Sequence, residues 1–371
     1  LTDPAGFEHP TSELPDEIVQ QVMAELPLED RRRWSQVTTG MHAFAASQPE
    51  DRPTGRLRDV AHRTDLPYRT IYTQSELNAS LSDPEPLYFA PGGGPEAERL
   101  TLDRGRGAIQ LCGGIDGEPL AVMNDGAVNA VDGAVISTLR GGYVDIRRGA
   151  TVTDQYGGVC SIWSGGVVVN LHGGAGHCHP SGTIVNKWTH YHVGVQDGTI
   201  ENLYNGPATL HGDSWCSVVH GGTLLVMDNS TVDEVIDGLV TLNGTSRLTS
   251  VKGGDVESAS TTPISEVAGG IVQLHTGSSV YAVTGGTVHA HTGSTIHTAT
   301  GGTVHVEDQA VLHHAEGEAV VHAYAGSTVT VHDGATVHAY DQATVMAHGG
   351  TVHLYGTEVD LSDYGATVHH H

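Results

Sequence analysis

Between positions 285 and 356, apolar and polar residues alternate in frames of about eight: GGTVHAHT, GSTIHTAT, GGTVHVED, QAVLHHAE, GEAVVHAYA, GSTVTVHD, GATVHAYD, QATVMAHG, GTVHLYG. A short fixed period marks a solenoid, in which each unit rests on its neighbours. Within a frame the branched residue (Val288, Ile296, Val304, Val337) is flanked two places away by small residues such as Ala290 and Ala339. Side chains two apart share one face of a strand, so this set is expected to face inward. The alternate set is expected to face solvent: Thr287, His289 and His291, or Thr336, His338 and Tyr340. Gly-Gly, Gly-Ser, Asp-Gly or Asp-Gln between frames supplies the corner conformations. Each octad is thus predicted to be one strand of about five residues and a corner. No octad can bury its Val and Ala face alone, so the units must stack. The fold class that follows is all-β, a parallel β-helix or β-solenoid built from octapeptide repeats.

The frame continues in eroded form over 100–284, as in GAIQLCGG, GAVISTLRG, GVVVNLHGG and GTIENLYNG, with longer excursions at 174–192, 205–220 and 243–267. Residues 1–56 differ. Ile18, Val19, Val22, Met23 and Leu26 follow helical spacing behind Asp16 and Glu17, Pro27 closes that helix, and a second is expected over 29–46. This reads as a small N-terminal helical segment for attachment or oligomerisation. Residues 57–99 read as a linker followed by a strand, a short helix over 74–81 capped near Thr73 or Ser75, and an extended LYFAP. A helix there would cover the open end of the core and its unpaired backbone edge. The four expected segments are 1–56, 57–99, an irregular solenoid over 100–284 and a regular one over 285–371.

Two stackings fit the octads. One chain could wind alone, three octads to a coil of roughly 24 residues, or three chains could intertwine with one octad each per layer. At strand spacings of about 4.8 Å these give rods of roughly 50 Å and roughly 150 Å. The irregular unit lengths and the capping helix favour the single chain, and a homotrimer stays open.

Charge narrows the partners. The formal net charge is −26, and 14 of the 17 basic residues lie at or before Arg148. No basic stripe exists on the solenoid to neutralise phosphates, so nucleic-acid binding is not expected. No run of some 20 apolar residues is present, so no membrane span is expected. Cys112, Cys160, Cys178 and Cys216 sit far apart in strand-like surroundings and read as small buried hydrophobes.

Candidate chemistry centres on histidine. His177 with His179, and His190 with His192, form two His-x-His pairs in one excursion. On a strand each pair shares a face, and adjacent coils could bring four imidazoles to one divalent metal, the only cofactor considered. Cys178 would point the other way. With three octads per coil, His289, His313 and His338 would stack on one side, and His297 with His322 on another. Asp145, Asp154, Asp197 and Asp213 are the carboxylates a sugar-cleaving groove would draw on, but their spacing singles out no pair, and no catalytic residue is assigned.

Two resemblances follow from these residues. GSTVTVHDGATVHAYDQATVMAHGGTVHLYG resembles octapeptide arrays of actinobacteria and their phages, over 285–371 closely and 100–284 distantly. The strand, short helix and LYFAP ahead of it resemble the start of β-helices of the pectate-lyase and tailspike type. Together they imply a structural and receptor-binding component of a phage tail (fibre, spike or tip), located in the virion. Its implied partners are other tail proteins through residues 1–56 and a host-surface glycan or protein. The alternatives are a bacterial cell-surface adhesin and a polysaccharide-degrading tailspike. An octad motif is structural and brings no active-site residue with it.

Overall fold

The computed structural model describes residues 69–81, 87–91, 98–103, 108–112 and 120–371. The helical segment expected over 1–56 lies outside the described residues. From residue 120 onward the backbone is a continuous parallel β-solenoid with two faces. One sheet runs β1 (Arg69–Ile71), β2 (Leu87–Pro91) and then every even-numbered strand from β4 (Ala108–Cys112) to β36 (Thr367–His370). The other takes every odd-numbered strand from β3 (Thr101–Leu102) to β35 (Asp360–Asp363).

Register fixes the coil length. Val159 of β10 (Val159–Ile162) lies opposite Ala175 of β12 (Ala175–Cys178), and Val167 of β11 (Val167–Leu171) opposite Thr183 of β13 (Thr183–Lys187). Partners are 16 residues apart in both sheets, so a coil is two octads. The expectation of three octads, and its alternative of one octad per chain in an intertwined layer, are both corrected: strand partners come from the same chain, one coil away. With 17 strands in the odd sheet, the stack is about 80 Å long at some 4.8 Å per layer.

The two octads of a coil are different objects. In β26 (Thr287–Ala290) the second and fourth residues, Val288 and Ala290, are buried in simple alternation. In β27 (Thr295–Ala299) the second and fifth, Ile296 and Ala299, are buried, and two consecutive residues between them face out. The corners differ as well. Ahead of half of the even strands stands Gly-Gly, whose second glycine is left-handed: Gly302 has φ +75°, and a Cβ there would meet the Gly286 carbonyl oxygen at 2.7 Å. Ahead of many odd strands stands a buried small residue such as Ser294, whose hydroxyl donates to the His291 carbonyl at 2.6 Å. Two corner types close two sides. Inward Val and Ala let the sheets meet back to back at about 10 Å, whereas a third side would leave a void behind such short side chains.

The stack begins as the sequence indicated. Helix α1 (Gln74–Ser80) has Thr73 as N-cap: its hydroxyl accepts from Glu76 N at 3.2 Å, and the Glu76 carboxylate accepts from Thr73 N at 3.1 Å. Leu77 is buried in the core, and Gln74 holds both Thr101 backbone groups, donating to its carbonyl at 2.8 Å and accepting from its N–H at 2.7 Å. The four cysteines are buried, as expected. Among the described residues no helix is long and apolar enough to cross a membrane.

Candidate functional site

Stacking identical coils places equivalent side chains in columns, so the chemistry of this protein lies in ladders. Two regions have distinct ones.

The first spans the coils from Tyr143 to His220. On the odd sheet, Asp154, Asn170, Asn186 and Asn202 occupy one outward column. Asn170 Nδ2 donates to Asp154 Oδ1 at 2.9 Å, Asn186 Nδ2 to Asn170 Oδ1 at 3.0 Å, and Asn202 Nδ2 to Asn186 Oδ1 at 3.2 Å. Beside it, at the corner, aromatic rings stack on one another: Tyr156 on His172 at 4.8 Å, Trp188 on Tyr204 at 3.7 Å, and Tyr204 on His220 at 4.5 Å. On the even side Trp163 lies between the Arg147 guanidinium, 4.8 Å from its ring, and His179, 3.7 Å away. Asp145 accepts from Tyr143 Oη at 3.0 Å and from Trp163 Nε1 at 3.1 Å. Burial, and then the Asp145 charge, push the Tyr143 phenol up to about 12. Stacked face to face, these rings brace the corner between successive coils.

Inside this region lies a residue that composition alone did not reveal. Lys187 occupies the inward position filled by Leu171 in the preceding coil and Leu203 in the next, and it is fully buried. Its ammonium donates to the carbonyls of Thr189 at 2.9 Å and Asn205 at 2.8 Å, and burial lowers its pKa to about 7. The frame GTIVNKWTH, set against GVVVNLHGG and GTIENLYNG, held the signal, because the lysine falls on the leucine of its neighbours. Lys187 thus caps two carbonyls at the base of the 187–192 excursion.

The four histidines read as a metal candidate are placed around that excursion. His177 faces outward on β12, opposite Gly194 of β14 (Val193–Gln196), and Cys178 points inward as expected. His179 is the ring on Trp163. His190 Nδ1 is 3.3 Å from Asn205 Nδ2, and His192 Nε2 is 2.8 Å from Thr209 Oγ1. Burial lowers the pKa of His177, and burial together with the neighbouring His177 lowers that of His179. His192 falls to about 4 through burial, then through Lys187, His177 and His211. Neutral imidazoles can ligate. Yet no three His, Cys, Asp or Glu side chains among the described residues are grouped to hold one ion. The four carboxylates do not form one group either. Asp145 lies on the even sheet and Asp154 on the odd, while Asp197 accepts the backbone N–H of Asp213 at 2.8 Å and so braces a turn.

The second region is the outer face of the even sheet from Thr287 to His369. Its central column is His289, His305, His322, His338, His353 and His369, in register coil after coil. Successive ring centroids are 4.5, 4.8, 5.0, 5.0 and 4.9 Å apart. This replaces the three-sided grouping: His289 and His322 share a column, and His297 stacks with His313 on the odd sheet at 5.5 Å. A threonine column (Thr287, Thr303, Thr336, Thr351, Thr367, with Val320 standing in) flanks it on one side. On the other, Tyr324, Tyr340 and Tyr355 stack at 5.0 and 5.4 Å. Their hydroxyls tie coils together, Tyr324 Oη lying 3.3 Å from His305 Nδ1 and Tyr340 Oη 3.4 Å from His322 Nδ1.

No protein-family model matches this chain, and neither a curated protein nor a solved structure does.

Proposed function

We infer that the chain is a rigid attachment rod that presents ordered side-chain columns to an extended partner at a cell surface. The observation that supports this is the unbroken histidine column over six coils, flanked by threonine in five of them and by tyrosine in three. A repeated flat surface suits a repeated ligand, and strand-held side chains are already in their bound geometry. The octad resemblance makes a phage tail fibre, spike or tip the setting, with a host-surface glycan or protein as partner; a bacterial adhesin is the second setting. A polysaccharide-cleaving tailspike is less favoured, because Asp145 and Asp154 lie on opposite sheets.

The test is attachment. The fluorescently labelled chain is incubated with intact actinobacterial cells, untreated, protease-shaved or stripped of wall glycan. Saturable binding lost on one of the two treatments is expected. An absence of saturable binding to every untreated host would overturn the reading.

A further inference from the structure

We propose that the Thr-His-Tyr face of the even sheet is an acid-gated docking surface for a linear carboxylated glycan, a uronate polymer. The proposal deepens the attachment reading and rests on it only in taking the partner to be a surface polymer.

Charge distribution comes first. Residues 285–371 contain 14 His and nine Asp or Glu, with neither Lys nor Arg. All but one of the carboxylates are kept off this face. Asp308, Glu316, Glu318, Asp333, Asp341 and Glu358 lie outside the strands, and Asp360 and Asp363 are on β35 of the opposite sheet. Glu307 alone borders the imidazole column, and its carboxylate is 2.9 Å from His291 Nδ1. The remaining titratable groups beside the column are His291, His371 and the three tyrosines. Behind it the inward residues are apolar, Val288, Val304, Val321, Val337 and Val352 among them. Protonation therefore turns an uncharged stripe into a cationic one. Protonation of outward histidines also reduces the formal charge of −26, which weakens long-range repulsion of an anionic polymer.

Spacing comes second. Imidazoles 4.5 to 5.0 Å apart cannot all charge freely, because each proton raises the cost of the next. Burial and then charged neighbours hold His305, His322, His338 and His353 below the ordinary histidine value. An anion at each coil relieves that repulsion, so binding and proton uptake are coupled. A single small anion relieves one pair only, whereas a linear polyanion follows the column. The choice of glycan over nucleic acid rests on the flanking Thr and Tyr hydroxyls, which match sugar hydroxyls, and on the absence of the fixed cations that phosphate backbones require.

The experiment titrates polygalacturonate into the full chain by calorimetry, at about pH 5 and about pH 7.5, either side of the ordinary histidine pKa. Affinity at least about tenfold higher at the acid pH is expected, with net proton uptake seen as a dependence of the heat on buffer. His322→Gln with His338→Gln should remove most of that pH gain. Equal affinity at both pH values, or an unchanged gain in the double variant, overturns the proposal. Tighter acid binding of single-stranded DNA than of polygalacturonate overturns the glycan assignment. If the wild-type chain attaches to cells but shows no acid gain for polygalacturonate, the attachment reading stands and this one falls.

Discussion

The coils from 135 to 251 and those from 287 to 354 share one backbone and differ in what fills and lines it. The earlier coils bury Ile136, Leu139, Ile184 and Leu203, and admit Gln155 and Lys187 to inward positions. The later ones bury Val337, Ala339, Val345 and Ala347. Outside, the earlier coils are held by an amide ladder with directional hydrogen bonds, and the later ones by stacked imidazoles and phenols. The winding survives both changes, and what most coils of both regions share is a glycine or a buried small residue at each corner. The side chains between corners are then free to specialise.

The largest expected contrast lies in pH. The folded pKa of Lys187 is lowered to about 7 from an ordinary value of 10.5, so between those pH values the unfolded chain binds a proton that the folded chain does not. Stability must then rise with pH from about 7 towards 10.5, by on the order of 4 kcal/mol at the top of the range. Below pH 7 both states hold the proton and the full penalty persists. Amide hydrogen exchange around residues 183–205, followed from neutral to alkaline pH with correction for intrinsic rates, should show this rise. Lys187→Met should flatten it, and the later coils should lack it altogether. A wild-type profile as flat as that of the later coils would show that Lys187 does not titrate as its burial requires.

The corner should matter equally in both regions. Gly158→Val and Gly302→Val each place a Cβ against the carbonyl oxygen of the preceding coil, at 2.6 and 2.7 Å, on a left-handed backbone. Each should cost about 3 kcal/mol, read as local exchange or proteolysis, because a solenoid opens near the defect before it melts as a whole. A large asymmetry between the two would mean that the core, rather than the corner, sets the winding. Core substitutions should separate the regions instead. Ile184→Ala should cost about 3 kcal/mol, whereas Val337→Ala removes about two methylene equivalents and should cost nearer 2 kcal/mol. Thermal melts of both variants against wild type would check the order.

How legible this was depends on which residue is asked. Val288 and Ala290 inward, His289 outward, Cys178 inward and the Thr73 cap all follow from two-residue and helical periodicities, which are local. The coil length is not local, and a reading that takes frames such as GGTVHAHT and GSTIHTAT as equivalent does not reach it. Gly-Gly at 253–254, 269–270, 285–286 and 301–302 returns every second octad. Because successive octads carry unlike corners over this stretch, the spacing already encoded the two-sided coil. The histidine grouping failed for the same reason. Lys187 was hidden differently: a charged residue is presumed exposed, and only alignment of its frame on neighbouring coils shows it in a leucine position.

The smallest contrast concerns the outer ladders. Asn186 both donates to Asn170 and accepts from Asn202, so Asn186→Ala removes two directional bonds and leaves half-buried amides on either side without that partner. The net loss should be about 1 to 2 kcal/mol. His322 touches His305 and His338 only through ring faces in a half-exposed column, with one long contact to Tyr340. His322→Ala should therefore cost no more than about 0.5 kcal/mol at neutral pH, and less again in acid, where removing one member of a charged column relieves repulsion. Measured side by side at neutral and acid pH, the two variants should keep that order, and the His322 effect should fall towards zero or change sign. If His322→Ala proved as damaging as Asn186→Ala, the imidazole column would be a structural ladder like the amide one. The uncovered Thr-His-Tyr face would then owe its regularity to stability rather than to a ligand.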